Sequence, residues 1–297
     1  HAARRPAGAT RAEEMAGCSL VLGIGDDAAA WRVDGLSHLF TTDTLVEGVH
    51  FLPGRAPWRD LGWKAMAVNY SDIAAMGGVP RHALVSIGIN PDLPVSFADG
   101  IYKGLKTAAN RFGINIVGGD TSRARKLVID VSLIGEVEKR NLATRSGARV
   151  GDVILVTGEL GGSIKGRHLN FIPRLDEARF LVRNFRVNSM IDLSDGLVLD
   201  LWRILDASGT GAKIYENTIP VSEDADSFES AIYDGEDFEL LFTMSVEEAR
   251  RFFKTAMAKM KTAVTLIGEI LDAKAGYKLV TKDGETKRLK AKGYLHF

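Results

Sequence analysis

Five short acidic segments constrain this chain more than any other feature. They are Gly25-Asp26-Asp27-Ala28, Thr41-Thr42-Asp43-Thr44, Asn69-Tyr70-Ser71-Asp72, Gly118-Gly119-Asp120-Thr121-Ser122 and Ile191-Asp192-Leu193-Ser194-Asp195-Gly196. Most close an apolar run or adjoin glycine, which predicts loops at strand ends where side chains and free N–H groups meet at one sheet edge. Asp72 differs. It follows Val68 by four residues and Ala65 by seven, so all three share one helix face. A carboxylate on a face that should be buried costs several kcal/mol unless it is paired or bound to metal. Hard carboxylate and hydroxyl oxygens suit magnesium, which takes a few carboxylates and completes its shell with water and phosphate.

Each segment alone also has an ordinary reading. Aspartate before glycine is a common turn residue, and Asp195 stands where it could simply cap a helix beginning at Leu197. Together the segments reach as far as a metal and phosphate site. The common nucleotide signatures are missing: there is no G-x-x-x-x-G-K-[ST], G-x-G-x-x-G or H-R-D motif, and no His/Cys set with zinc spacing. Gly161-Gly162-Ser163, followed by Lys165 and Arg167, could cradle an anion.

The remaining composition is permissive. A chain of 297 residues with 45% hydrophobic and 26% charged content can bury about two domains. A formal net charge of zero gives no general pull toward nucleic acid or a membrane surface. Cys18 is the only cysteine, which fits a reducing compartment. No apolar run approaches the roughly 20 residues of a membrane span. The basic opening stretch of residues 1–16 lacks the apolar core of a signal peptide. The expectation is a cytoplasmic protein.

Hydrophobic periodicity predicts strands over 38–42, 83–89, 115–117, 127–137, 153–157, 238–244 and 264–270. Helices are expected over 58–76, 97–112, 175–185, 197–207 and 247–260, with a closing hairpin over 277–289. Asp43, Glu47 and His50 are expected in the loop after the first strand, and Gly118-Gly119-Asp120 in the loop after the third. A polar, glycine-bearing stretch over 145–151 suggests a junction. The simplest account is α+β, two mixed α/β domains over 1–146 and 147–297.

Read in order, the chain resembles the thiamine-monophosphate kinase family, within the superfamily of aminoimidazole-ribonucleotide synthetase. The strings that carry the resemblance are GIGDDAA from Gly23, TTDTLVEGVHF from Thr41, KAMAVNYSDIAAMG from Lys64, GGDTS from Gly118, LATRSGA from Leu142, IDLSDGL from Ile191 and DGEDFELLF from Asp234. The resemblance implies the two-domain fold of that superfamily and a homodimer formed through the N-terminal sheets. It implies ATP as co-substrate, several Mg2+ ions, and transfer of the γ-phosphoryl group to thiamine monophosphate.

Carried over position by position, Asp27, Thr41, Thr42, Asp43, Asp72, Asp120, Asp192 and Asp195 would hold the metals. Asp43, Asp120, Arg145 and Asp192 would be catalytic. Gly119, Asp120, Arg145 and Ser194 would contact ATP, and His50 and Glu236 the thiamine side. An already anionic acceptor needs no strong base, so direct transfer without a phosphoenzyme is expected.

Two departures bear on the substrate half. Ala291 stands where the family often carries a tryptophan, so ring stacking would come from elsewhere, such as Tyr294 or Phe297, or be weaker, and the segment 161–188 is shorter than usual. The competing readings are another ATP-dependent enzyme of the superfamily and a catalytically silent nucleotide or divalent-ion binder.

Overall fold

The structure, a computed structural model, describes residues 19–33, 35–52 and 54–293. The first sheet has six strands in the order β1-β2-β3-β6-β4-β5. They are β1 (Ser19–Leu22), β2 (Ala29–Val33), β3 (Leu36–Val46), β4 (Val79–Ile89), β5 (Asn115–Arg123) and β6 (Val128–Glu138). Only β4 and β5 run parallel, and the crossover a parallel pair requires is helix α2 (Val95–Phe112). Helix α1 (Trp58–Ala75) joins β3 to β4.

Alternation along β3 separates the two faces of this sheet. Leu39, Thr41 and Leu45 are buried, whereas Phe40, Thr42 and Thr44 are exposed. The buried face packs on α1 and α2 through Leu39, Ile73, Ile101, Leu105 and Val131. The helices touch backbone to backbone: a Cβ on Gly62 would fall 2.1 Å from the Ile101 carbonyl oxygen, and one on Gly104 1.9 Å from that of Arg59.

The second sheet has seven strands in the order β13-β12-β9-β11-β7-β10-β8. These are β7 (Asp152–Thr157), β8 (Ser189–Asp192), β9 (Thr210–Tyr215), β10 (Leu240–Ser245), β11 (Val264–Asp272), β12 (Tyr277–Val280) and β13 (Thr286–Arg288). The helices of this half are α3 (Arg167–Asn170), α4 (Leu175–Asn184), α5 (Leu197–Ser208), α6 (Phe228–Tyr233) and α7 (Val246–Thr255). One face packs against α5 and α6 through Ile154, Ile191, Leu201 and Ile232, and the other against α4 and α7 through Leu155, Met190, Leu181 and Phe252. Every residue of β7 and β8 is buried, as expected for strands covered on both faces.

Helix α1 belongs to both halves. Of its 18 residues 13 are buried, too many for a single apolar stripe. Ala74 and Ala75 join the core of the second sheet, while Ala67 and Val68 pack with Phe171 and Phe238. A polar side chain on α1 can therefore face residues from either sheet.

Three expectations change. Asp43 lies inside β3, which runs on to Val46, and Gly118-Gly119-Asp120 lie inside β5 rather than after it. Pairing with full-length neighbours extends both strands through residues that favour turns in isolation. The helix expected over 247–260 ends at Thr255 and is followed by a short 3-10 turn.

Candidate functional site

Asp27 precedes β2, Asp72 lies near the end of α1, and Asp192 ends β8. Each offers an oxygen within 4.8 Å of those of the other two. The Thr41 hydroxyl donates to Asp72 Oδ2 at 2.5 Å, and the Ser71 hydroxyl to Asp192 Oδ2 at 2.5 Å. Asp43, on the same face of β3 as Thr41, lies beside the Asp72 side chain, and the two carboxyl groups interact.

Carboxylates so close cannot all stay ionised unaided. At 4.8 Å each pair repels by about 3 kcal/mol in an effective dielectric near 20. Burial first, then the charges of Asp43, Asp192 and Asp27, push Asp72 well above the usual carboxylate range. Burial and Asp27 do the same to Asp192. Asp43 rises to about 6, chiefly by burial. Asp27 is raised by burial and held back by Arg145, whose Nη2 lies 2.6 Å from its Oδ1. The other oxygen, Oδ2, is buried with no hydrogen-bond partner. An all-oxygen donor set with an orphaned, buried carboxylate oxygen fits Mg2+, whose charge would relieve the repulsion.

Next to the cluster is a cavity of about 740 Å³ lined by Asp43, Asp72, Asp192, Ser194 and Asp195. Leu45, Val49, Val68 and Phe238 give it apolar wall, and His50, Tyr233 and Glu236 line it too. The volume suits a small organic ligand. The Val46 N–H donates to His50 Nδ1 at 2.9 Å, which leaves the ring proton on Nε2. Asp195 pairs with Arg203, which also holds Asp200. It does not cap α5: the capping position is Gly196, with no side-chain bond.

Other residues fall elsewhere. The side chain of Thr42 points to the open face of the first sheet, where it meets Ser132 and the Val131 carbonyl, because neighbours on a strand alternate. Its side chain therefore lies on the opposite face of the sheet from Thr41 and Asp72. Asp120 is exposed on the edge strand β5, three strand spacings or about 14 Å across the sheet from β3. Register puts it in one row with Ser86, Asp130 and Thr44, on the open face. Gly119 has φ +153°, and a Cβ there would lie 1.8 Å from the Val85 carbonyl oxygen.

The Gly161-Gly162-Ser163 turn is no vacant anion cradle. The Gly161 N–H, the Ser163 hydroxyl and Arg167 all bind the chain's own Asp237, and Lys165 pairs with Asp226. Tyr294 and Phe297, expected to stack on a ring, lie outside the described residues.

Sequence reasoning passed over Lys64, Ser71, Asp26, Asp200 and Arg203. Lys64 carried the same signal as Asp72: at positions 64, 68 and 72 it shares their stripe of α1. Lys64 is 1% exposed and pairs with Glu236. Asp26, raised to about 6 by burial and by Asp27, accepts from the Arg145 N–H.

Comparison with known proteins agrees with this geometry. Residues 25–137 match the family model for the N-terminal domain of AIR synthase related protein, and residues 163–280 match the C-terminal one. Thiamine-monophosphate kinase of Rhodopirellula baltica is 37% identical, covering 93% of this chain and 92% of the relative. That of Bacillus subtilis is 36% identical, covering 94% of each chain. Among solved structures, AaThiL complexed with AMPPCP and TMP superposes with a TM-score of 0.81 at 33% identity, covering 92% of both chains. The chain belongs to the thiamine-monophosphate kinase family.

Proposed function

We propose that this chain transfers the γ-phosphoryl group of ATP to the phosphate of thiamine monophosphate, giving thiamine diphosphate and ADP. The observation that carries the reading is the convergence of Asp27, Asp72 and Asp192 within 4.8 Å beside a cavity lined by His50, Ser194 and Glu236. The similarity to a structure complexed with AMPPCP and TMP supports the choice of ligands.

Donor and acceptor are both anionic, and their repulsion is the main obstacle to their meeting in line. Asp27, Asp43, Asp72 and Asp192 would hold Mg2+, with Thr41 beside them, any oxygen from Thr42 coming from its main chain, and Asp195 as a further ligand. Bound there, Mg2+ supplies charge neutralisation and alignment of the phosphates. Arg145 brings a cation to the same place and Ser194 a hydroxyl at the cavity wall. His50, with its Nε2 proton, and Glu236 would bind the thiamine end. The acceptor phosphate is already charged near neutral pH, so transfer is direct and forms no phosphoenzyme.

The working unit in this reading is a homodimer through the open face of the first sheet, where Phe40, Leu84 and Ile134 are 42%, 48% and 36% exposed. An interface there would include Asp120 and Gly119 and so bring their expected phosphate and metal roles to the subunit boundary. No helix among the described residues is long and apolar enough to cross a membrane. We place the enzyme in the cytoplasm, with no nucleic-acid partner.

An ADP-release screen over acceptors tests the reading. Thiamine monophosphate should stimulate release strongly, while thiamine and aminoimidazole or formylglycinamidine ribonucleotides should not. Stimulation by one of the others alone would contradict it.

A further inference from the structure

Lys64 is the most deeply hidden lysine of the fold, 1% exposed in the middle of α1. It does not line the cavity. Among the described residues its hydrogen-bond partner is the Glu236 carboxylate, through Oε2. A buried ammonium is tolerated only when paired, so this contact is a condition of the fold as well as a feature of the site.

Glu236 is fixed from its other end too. Its backbone sits at φ +70°, a conformation that side-chain-bearing residues rarely adopt. The Glu236 N–H donates to the Ser194 carbonyl at 2.8 Å. Gly235 lies so close that a Cβ would fall 2.3 Å from the same oxygen. Phe238, at φ +51°, stacks on Phe171 with centroids 4.1 Å apart and planes 9° from parallel. His168, nearby and buried, donates its Nδ1 proton to the Ser163 carbonyl, 2.8 Å away. Burial and the charge of Lys64 lower the pKa of His168.

A side chain held at both ends inside a binding cavity loses little freedom when it meets a ligand. We infer that Lys64 is a positioning residue: by binding Oε2 it holds the Glu236 carboxylate toward the cavity, as a fixed acceptor for the cationic or amino-bearing ring end of the substrate. Its effect is on affinity for the acceptor substrate and not on the rate of transfer. This inference rests on the function proposed above and deepens it.

The test is steady-state kinetics on Lys64→Met, Glu236→Gln and the double variant, varying thiamine monophosphate and ATP separately. Lys64→Met should raise the KM for thiamine monophosphate by about tenfold, with kcat and the KM for ATP within about twofold of wild type. The double variant should be no worse than Glu236→Gln alone, because the two residues act as one unit.

Unchanged kinetics in Lys64→Met, additive effects in the double variant, or a parallel fall in kcat would overturn the inference. If Lys64→Met does not fold, Lys64→Leu, which equally lacks a donor, is judged by the same criteria. Absence of thiamine diphosphate with the wild-type protein would overturn the functional reading and this inference together, and that result precedes any comparison of variants.

Discussion

The hydroxyl of Ser71 on α1 donates to Oδ2 of Asp192 at the end of β8, 2.5 Å away and 121 residues apart in sequence. This bond ties the helix that covers the first sheet to an edge strand of the second, at the point where the acidic cluster forms. Ser71→Ala should therefore cost both stability and turnover. A hydrogen bond to a charged group contributes about 1.5–3 kcal/mol, and its loss leaves Asp192 buried with less support. Urea unfolding in Mg2+ should show a loss of that size, with a lowered kcat.

Asp72→Asn should separate stability from function. It removes one charge from a cluster whose pairs repel by about 3 kcal/mol each. In EDTA the variant should melt at a higher temperature than wild type, yet turnover should fall by at least about 100-fold. Asp43→Asn should show the same loss of turnover. A variant that retains near-normal activity would remove that residue from the metal set.

The raised carboxylates set a pH dependence with a definite sign. Asp26 and Asp43 rise from 3.8 to about 6, and the buried Asp200 to about 7, in each case chiefly by burial. The folded protein then holds protons that the unfolded chain releases, so stability falls as pH rises from about 4 to 7. Asp26 and Asp43 each contribute up to about 3 kcal/mol to that fall, and Asp200 up to about 4 kcal/mol. Melting in EDTA should be lower at pH 8 than at pH 5, and Mg2+ should raise it more at pH 8, where it competes with fewer protons.

Leu84→Lys, on the open face of the first sheet, tests the proposed dimer. Sedimentation should show a wild-type dimer and a variant monomer that remains folded, since Leu84 is 48% exposed and contributes little to the core. A monomeric wild type would contradict the proposed assembly.

Much of the fold was legible because periodicity survives in its longer elements. Helix α1 was expected over 58–76 and observed over Trp58–Ala75, and helix α2 ends at Gly113 in the left-handed conformation its glycine suggested. The strands were harder. Asp43 and Asp120 read as loop residues because isolated propensity says nothing of the partners, β6 and β4, that extend their strands. Strands β1, β2 and β9 and helix α6 are short or weakly patterned and left no clear signal.

At the site, the aspartates stood out because carboxylates are costly to bury, so their positions carried information by themselves. Which of them meet was not readable. Asp120 shares a motif style with Asp72 yet lies on the opposite face of the sheet from α1, and only register reveals that. Lys64 was legible by the reasoning applied to Asp72, eight residues on, while its partner Glu236 lies 172 residues away.

The most direct measurement is chromatographic detection of thiamine diphosphate after incubating the protein with ATP, Mg2+ and thiamine monophosphate. The account predicts thiamine diphosphate and ADP in equal amounts, none in EDTA, and none with Asp72→Asn. ATP binding to the wild-type protein with no thiamine diphosphate formed would contradict it.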